Sequence, residues 1–226
     1  MNAGRAVLLA GATGLVGGRV LEGLLARADG PLVVAPVRRP LATAHPRLRT
    51  LVGAWDAAAI AGALDGASLD AYACCLGTTI RQAGSREAFL AVDRDLVLSL
   101  GETARALGAR QALLVSSVGA SAQSGNFYLR VKGEAERGLA GQGFERVDCL
   151  RPGLLLGERS ERRRAEGLGQ RLAPLANPLM RGPLRRYRAI GADVVAGALV
   201  ALAGREAAGR FVHEYDALVA LATGAA

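Results

Sequence analysis

The stretch Arg5-Ala6-Val7-Leu8-Leu9-Ala10-Gly11-Ala12-Thr13-Gly14-Leu15-Val16-Gly17 decides the fold of this chain. It opens with a short apolar run, typical of a buried strand, and leads into a helical pattern of apolar residues over 15–28. Between the two, Gly11, Gly14 and Gly17 recur with the spacing G-x-x-G-x-x-G. Glycines at such a turn let the backbone approach a pyrophosphate, which the N–H groups at the helix N-terminus bind. The stretch therefore predicts a dinucleotide-binding turn.

Short apolar runs continue to alternate with amphipathic ones up to residue 150. The pattern predicts strands at 5–10, 32–37, 48–52, 70–76, 112–116 and 147–150, and helices at 15–28, 57–64, 89–107, 127–140 and 193–203. Such alternation is typical of β-α-β units. We predict an α/β protein with a doubly wound parallel sheet, a Rossmann fold, in a single NAD(P)-binding domain over 1–226. The alternation weakens after Arg151-Pro152-Gly153, so the part from about 154 to 226 is expected to be less regular and to lie on the substrate side.

The composition fits a globular protein in a reducing compartment. Of the 226 residues, 51% are hydrophobic and 21% charged, and no apolar run is long enough to span a bilayer. The three cysteines lie in apolar stretches and no residues have metal-ligand spacing, so we predict reduced thiols and no metal site. The opening residues lack the pattern of a secretory signal peptide, so a cytoplasmic protein is expected.

The net charge of +8 raises the question of a nucleic-acid partner. The arginines are spread along the sequence and thicken only at 159–164 and 181–188, and no aromatic residue interleaves the first of these clusters. Charge alone supplies only non-specific affinity for nucleic acid. We therefore predict an anionic small-molecule ligand and no specific nucleic-acid partner, while the sequence leaves the oligomeric state open.

Two arginines, Arg38 and Arg39, follow the second predicted strand. An NAD site usually carries an acidic residue here for the ribose 2′-hydroxyl, whereas arginine suits the 2′-phosphate of NADP. No aspartate or glutamate occurs between Asp29 and Asp56. The two arginines therefore predict NADP(H) as the cofactor, with a solvated basic turn as the alternative.

Of the 28 basic residues only one is a lysine, Lys132, and it follows Tyr128 by four positions. Residues four apart share one face of a helix, within side-chain reach. An ammonium is a compact point charge that its surroundings can tune, and beside a phenol it favours the phenolate. The pair therefore predicts a general acid–base, with a surface Tyr–Lys pair as the alternative.

Ser116 and Ser117 stand at the end of a predicted strand, and Tyr128 and Lys132 follow on the next predicted helix. A serine in that place before Tyr-x-x-x-Lys resembles the short-chain dehydrogenase/reductase superfamily. The glycine spacing is similar to its extended and atypical branches, and further motifs resemble the atypical subgroup of Tat-interacting-protein-like oxidoreductases and their bacterial relatives. Those motifs are Cys74-Cys75-Leu76-Gly77-Thr78-Thr79, Val92-Asp93, Ser116-Ser117-Val118-Gly119-Ala120, Tyr128 to Glu134 and Arg151-Pro152-Gly153-Leu154-Leu155-Leu156.

The resemblance implies roles for residues along the chain. Tyr128 would be the general acid–base, Lys132 would bind the nicotinamide ribose, and Ser117 would hydrogen-bond the substrate oxygen. The spacing from Ser117 to Tyr128 is slightly shorter than in classical members, so Ser116 stays open as the alternative. The cofactor-binding positions predicted by the turn and the resemblance together are Gly11, Thr13, Gly14, Leu15, Val16 and Gly17 at the pyrophosphate, Arg38 and Arg39 at the 2′-phosphate, Leu76 and Gly77 near the adenosine half, and Ser116, Tyr128, Lys132, Leu155 and Arg163, of which Leu155 and Arg163 would close over the nicotinamide.

These features together predict an NADP(H)-dependent oxidoreductase of the atypical short-chain dehydrogenase/reductase type. Its substrate would be a small carbonyl or alcohol compound that the sequence does not identify. The alternative is an NADPH-binding regulatory protein that acts through protein partners with little turnover. A nucleic-acid-associated protein is a third interpretation, which depends on the arginine excess alone.

Overall fold

The computed structural model of the protein describes residues 4–53, 55–157, 177 and 180–225. Within these residues, seven parallel strands form one sheet of order β3-β2-β1-β4-β5-β6-β9, and two short strands, β7 and β8, pair beside it. The strands are β1 (Arg5–Ala10), β2 (Leu32–Val37), β3 (Leu48–Val52), β4 (Ser68–Cys74), β5 (Gln111–Val115), β6 (Arg146–Leu150), β7 (Leu155–Leu156), β8 (Ile190–Gly191) and β9 (Gly209–His213).

Helices cover both faces of this sheet. They are α1 (Leu15–Ala26), α2 (Ala57–Leu64), α3 (Ile80–Ala83), α4 (Arg86–Leu90), α5 (Val97–Ala106), α6 (Phe127–Gly141), α7 (Ala192–Leu202) and α8 (Tyr215–Thr223), with a π-helical segment (Ala91–Leu96) between α4 and α5 and a 3₁₀ helix at Gly182–Tyr187. Because successive side chains of a strand point to opposite faces, Leu9 packs with α1, α7 and α8 while Leu8 packs with α2, α5 and α6. None of the described helices has the length and apolar composition needed to cross a bilayer.

The strand order places a crevice between the carboxyl ends of β1 and β4. The chain leaves β1 toward β2 on one side and returns to β4 on the other, so connections diverge at this point of the sheet. Ala10 and Cys74 are register partners, and the Cys75 N–H donates to the Ala10 carbonyl at 2.8 Å. In open α/β sheets ligands bind in the crevice where the connections diverge. The predicted doubly wound parallel sheet is confirmed.

Two predicted elements have different bounds. The predicted strand 70–76 runs from Ser68 to Cys74, so Leu76 and Gly77 lie in the loop that follows it. The predicted helix 89–107 begins earlier, at Arg86, and the π-helical segment interrupts it. A π-helical turn holds one more residue than an α-helical turn, and such turns are frequent at functional sites. Here the segment contains Asp93, a fully buried carboxylate.

The C-terminal third is more regular than the sequence predicted. β9 extends the main sheet beside β6, with Leu150 opposite His213, and α8 packs against α7. β9 was missed because Gly209-Arg210-Phe211-Val212-His213 is a short edge strand with only two strongly apolar residues, and its arginine and histidine hide the apolar pattern. The extent of the domain and the substrate-side role of 154–226 stay predictions, since 158–176 lie outside the described residues.

Candidate cofactor and catalytic site

The glycine turn closes tightly against the loop after β4. Gly11 has φ +84°, and a Cβ there would lie 2.6 Å from the carbonyl carbon of Cys75. A Cβ on Gly17 would collide with the Gly11 carbonyl oxygen, which also accepts the Gly14 N–H at 2.9 Å. Gly14 caps α1 without a side-chain hydrogen bond, so the first N–H groups of the helix remain open to a ligand. The turn has the shape and the donors that a pyrophosphate requires.

The residues within this turn can contribute in different ways. Thr13 and Gly14 are exposed, whereas Val16 packs into the core and can offer only its backbone. Leu15 is half-buried, and Gly157 lies over it, because a Cβ on Gly157 would approach Leu15 Cδ1 to 2.9 Å. β7, with the half-buried Leu155, therefore lies beside the glycine turn. Arg163 lies outside the described residues.

Replacing Gly17 by alanine is expected to destabilise the fold by about 1–3 kcal/mol, because the methyl group overlaps the backbone of Gly11 and neither element can move freely. NADPH affinity should fall with it as the turn distorts. Gly62→Ala is the matched control: Gly62 lies on α2 with open space around its Cα, and alanine there should stabilise the helix by about 0.5–1 kcal/mol. Urea denaturation and a fluorescence titration with NADPH measure both effects. Equal stability of the two variants would contradict the packing described for the turn.

Arg38 and Arg39 directly follow β2, at the same edge of the sheet as the glycine turn. Both side chains are exposed, and neither forms a salt bridge with a described residue. Trp55 Nε1 donates to the Val37 carbonyl at 3.3 Å and so covers the end of the strand beside them. Two uncompensated guanidinium groups at this place suit a phosphate group.

The two serines after β5 differ in burial. Ser116 is 5% exposed, and its Oγ has no hydrogen-bond partner among the described residues. Ser117 is half-buried, and its Oγ has only a long contact of 3.5 Å to the Val118 carbonyl. Both hydroxyls therefore keep hydrogen-bonding capacity for a ligand, and the geometry leaves the choice between them open.

Helix α6 carries Tyr128 and Lys132 on one face. Asn126 caps the helix by accepting the Leu129 N–H at 3.2 Å. The loop from β5 packs against α6 at Gly133, where any side chain would collide with the backbone of Ser121. The Tyr128 ring is half-buried and packs against Phe89, with ring centroids 5.8 Å apart. These contacts fix the orientation of the helix face that presents the phenol.

Lys132 is buried rather than solvated, with 3% of its surface exposed. Its Nζ lies 2.8 Å from Oδ1 of Asp93. Burial lowers the pKa of Lys132, but the negative charges of Asp93 and of an ionised Tyr128 outweigh burial, so the pKa lies above its ordinary value. Lys132 is therefore a permanent ammonium at neutral pH, and the alternative of a surface Tyr–Lys pair is wrong.

The loop after β4 joins the two halves of the site. A Cβ on Gly77 would lie 3.6 Å from Lys132 Nζ and 3.7 Å from Asp93 Oδ1, so the backbone of this loop passes over the ion pair. Two residues earlier, Cys75 touches Gly11. The structure thus brings the glycine turn, the Leu76–Gly77 loop and the ammonium of α6 to one crevice. Motifs in the sequence predicted all three of these features, whereas Asp93 entered only as part of a motif.

Comparison with known proteins agrees with this geometry. A family described as NAD(P)H-binding matches residues 11–173, more than half of the chain. The protein fmp52, mitochondrial, of Emericella nidulans is 34% identical over 212 residues, which cover 90% of this chain and 91% of that protein. The chain belongs to the NAD(P)H-binding, atypical short-chain dehydrogenase/reductase family. Within this family, the rat protein HTATIP2 is 46% identical over 98 residues, or 43% of this chain and 40% of that protein.

Solved structures share the fold of this family member. MoeE5 in complex with UDP-glucose and NAD has a TM-score of 0.64 at 20% identity, over 98% of this chain and 82% of that one. The human epimerase family protein SDR39U1 with NADPH has a TM-score of 0.59 at 17% identity, over 93% of this chain and 74% of that one. At these identities the likeness shows the Rossmann fold alone.

The expected cytoplasmic localisation is contradicted. The fungal relatives, including those of Emericella nidulans, Eremothecium gossypii and Candida albicans, are named as mitochondrial proteins. The prediction rested on the lack of a secretory signal pattern. That pattern separates secreted proteins from the others and carries no information on mitochondria, whose targeting segments have a different, arginine-rich composition.

Proposed function

We propose that this protein is an NADP(H)-dependent oxidoreductase that acts on a small carbonyl or alcohol compound, with Tyr128 as the general acid–base. The observation that carries the proposal is one distance: a Cβ on Gly77 would lie 3.6 Å from Lys132 Nζ. The loop that holds Gly77 also touches the glycine turn. A phosphate-binding turn and a buried ammonium with a phenol four residues before it then border the same crevice. This combination suits a nucleotide-dependent proton transfer, and a binding protein without turnover has no need of the phenol.

The residues present fit a dinucleotide. The crowding around Gly11 and Gly17 excludes side chains and leaves backbone N–H groups for phosphate oxygens. In the proposal the pyrophosphate is held at Thr13, Gly14, Leu15 and Val16, the 2′-phosphate by Arg38 and Arg39, the adenosine half along Leu76 and Gly77, and the nicotinamide ribose by Lys132. A bound nicotinamide would supply the hydride that a carbonyl carbon takes up, or would take up the hydride that an alcohol releases.

Proton transfer and charge stabilisation in the reaction depend on side chains of the protein. In the direction of reduction the substrate oxygen gains negative charge, and the Tyr128 hydroxyl donates its proton to that oxygen. Lys132 stabilises the phenolate that remains, because it keeps its positive charge in a buried position. Ser117, or Ser116 beside it, donates a second hydrogen bond to the same oxygen.

The test mixes the purified protein and NADPH with each member of a panel of aldehydes, ketones and quinones. The fall in NADPH absorbance measures turnover. Turnover with any member, together with saturable NADPH binding, is the expected result. Tight NADPH binding without turnover across the whole panel would instead support a regulatory protein. A protein that binds no dinucleotide would overturn both interpretations.

The choice between the serines is open to a paired substitution. We expect Ser117→Ala to lower kcat about tenfold and Ser116→Ala to change it by less than about twofold, because the family resemblance assigns the substrate oxygen to Ser117, whose side chain is also the less buried of the two. NADPH affinity should stay the same in both, as measured by fluorescence titration. A larger loss of kcat in Ser116→Ala would transfer the role to Ser116, whose hydroxyl lacks a described partner.

A further inference from the structure

We infer that Asp93 is a positioning residue, which holds Lys132 as an ammonium under Gly77 and thereby sets the pH range over which Tyr128 can act. Asp93 is fully buried and lies in the π-helical segment Ala91–Leu96. The meaning of this pair for catalysis rests on the proposed function. The pair itself, and the protonation of Lys132 that follows from it, can be tested without any turnover.

The carboxylate of Asp93 ties together three elements. Its Oδ1 lies 2.8 Å from Lys132 Nζ on α6, and its Oδ2 accepts the Thr78 N–H, at 3.0 Å, from the loop after β4. The Oδ1 contact lacks the angles of a good hydrogen bond, so the attraction there is mainly between charges. An α-helical continuation of α4 would hold one residue fewer per turn, and the π-helical segment accompanies the inward position of this side chain.

Asp93 supplies the negative charge that offsets the ammonium of Lys132. Within the described residues, the charges that act on Lys132 come from Asp93 on the π-helical segment, Tyr128 on α6 and Cys74 on β4. Burial raises the pKa of Cys74, so this thiol is neutral and contributes no charge near neutral pH. Tyr128 carries a negative charge only after it has given up its proton. In the state that is ready to reduce a carbonyl, Asp93 alone among these three groups offsets the buried ammonium.

Removing that charge changes the ammonium in a defined direction. In Asp93→Asn the Thr78 N–H keeps its acceptor, but burial is no longer opposed by a carboxylate, so the pKa of Lys132 falls. The variant therefore loses, at lower pH than the wild type, the ammonium beside Tyr128 that the proposed reduction requires.

The single lysine makes this protonation directly observable. Protein grown with ¹³C,¹⁵N-labelled lysine gives one side-chain amine signal, that of Lys132, and an NMR titration follows its charge with no background from other lysines. In the wild type the signal should remain that of an ammonium through the ordinary titration range of lysine. In Asp93→Asn it should titrate at lower pH.

The matched control is Asp148→Asn. Asp148 is another fully buried carboxylate in an ion pair, with Arg146 Nε at 2.7 Å, but it lies on β6 away from Lys132. This variant should lose stability and leave the titration of Lys132 unchanged. In kinetics, the ratio of kcat/KM at about pH 9 to kcat/KM near neutral pH should be about tenfold lower in Asp93→Asn than in the wild type, whereas Asp148→Asn should follow the wild-type pH profile.

An unshifted Lys132 signal and an unshifted pH profile in Asp93→Asn would overturn the inference and leave Asp93 a purely structural group. Should that variant not fold, the wild-type titration decides: loss of the proton below the ordinary range of lysine overturns the inference, and retention above it supports the inference. A wild type that turns over no carbonyl compound refutes the proposed function, yet the NMR comparison still decides whether Asp93 holds the charge of Lys132.

Discussion

Tyr128→Phe is expected to lower kcat for carbonyl reduction by about 10³-fold and to change the Kd for NADPH by less than about twofold. The substitution removes one oxygen atom, so the developing alkoxide has no general acid. Packing is preserved, because phenylalanine keeps the ring that lies 5.8 Å from the Phe89 ring. Stopped-flow or steady-state NADPH oxidation, with a fluorescence titration for Kd, measures the two quantities separately.

Tyr72→Phe controls for the removal of a tyrosine hydroxyl at another position of the fold. Tyr72 is fully buried, and its hydroxyl donates to the Val97 carbonyl at 3.0 Å. This variant should lose about 1 kcal/mol of stability and keep its turnover. If Tyr128→Phe retained a tenth or more of wild-type kcat, another group would have to supply the proton, and the proposed role of Tyr128 would be wrong.

The fold was predictable from the sequence where local signals are strong. Strands such as β1 and β2 are continuous apolar runs because both faces of a parallel sheet are buried, and the glycine turn marks where the first strand ends. β9 escaped prediction for the opposite reason. It is an edge strand, and its His213 and the nearby Arg146 turn to the buried carboxylate of Asp148, an interaction that only the assembled sheet reveals.

The candidate site was predictable in part. The glycines and the Tyr–Lys pair have fixed local spacing, so a single segment reveals each of them. Asp93 precedes Lys132 by 39 positions and meets it only in the folded structure, from within a π-helical segment. A signal did exist: a lone lysine proposed for proton chemistry requires a counter-charge if it is buried, and Asp93 lay within a motif already quoted. The choice between Ser116 and Ser117 depends on side-chain direction, which spacing does not determine.

The two ends of the proposed site carry different kinds of cation, although nearly all basic residues of this chain are arginines. At the outer end, Arg38 and Arg39 are exposed and always charged, and they present planar groups suited to a phosphate. At the inner end, Lys132 is buried and its protonation depends on Asp93. An arginine at position 132 would stay charged at every accessible pH and would place a larger, planar group beneath Gly77, where a Cβ would already lie 3.6 Å from Lys132 Nζ. The ammonium is therefore the cation that fits the buried position.

The double variant Arg38→Ala/Arg39→Ala is expected to raise the Kd for NADPH by about 100-fold and that for NADH by less than about twofold. The substitutions remove both guanidinium groups and, with each, a charge-assisted contact to the 2′-phosphate. NADH has no 2′-phosphate and so loses no such contact. Both arginines follow β2 at the sheet edge that holds the glycine turn, and no acidic residue occurs between Asp29 and Asp56 to bind a 2′-hydroxyl instead. Fluorescence titrations with both cofactors, repeated at two salt concentrations, measure the difference.

Arg205→Ala controls for the change in net charge. Arg205 is exposed, but it follows α7 at the opposite end of the sheet, where the Gly204 N–H donates to Gln111 at the start of β5. It should leave both affinities unchanged, which would show that loss of a positive charge far from the glycine turn does not by itself weaken binding of either cofactor. Equal weakening of NADPH and NADH would refute the 2′-phosphate role. The cofactor preference would then have to come from residues other than Arg38 and Arg39.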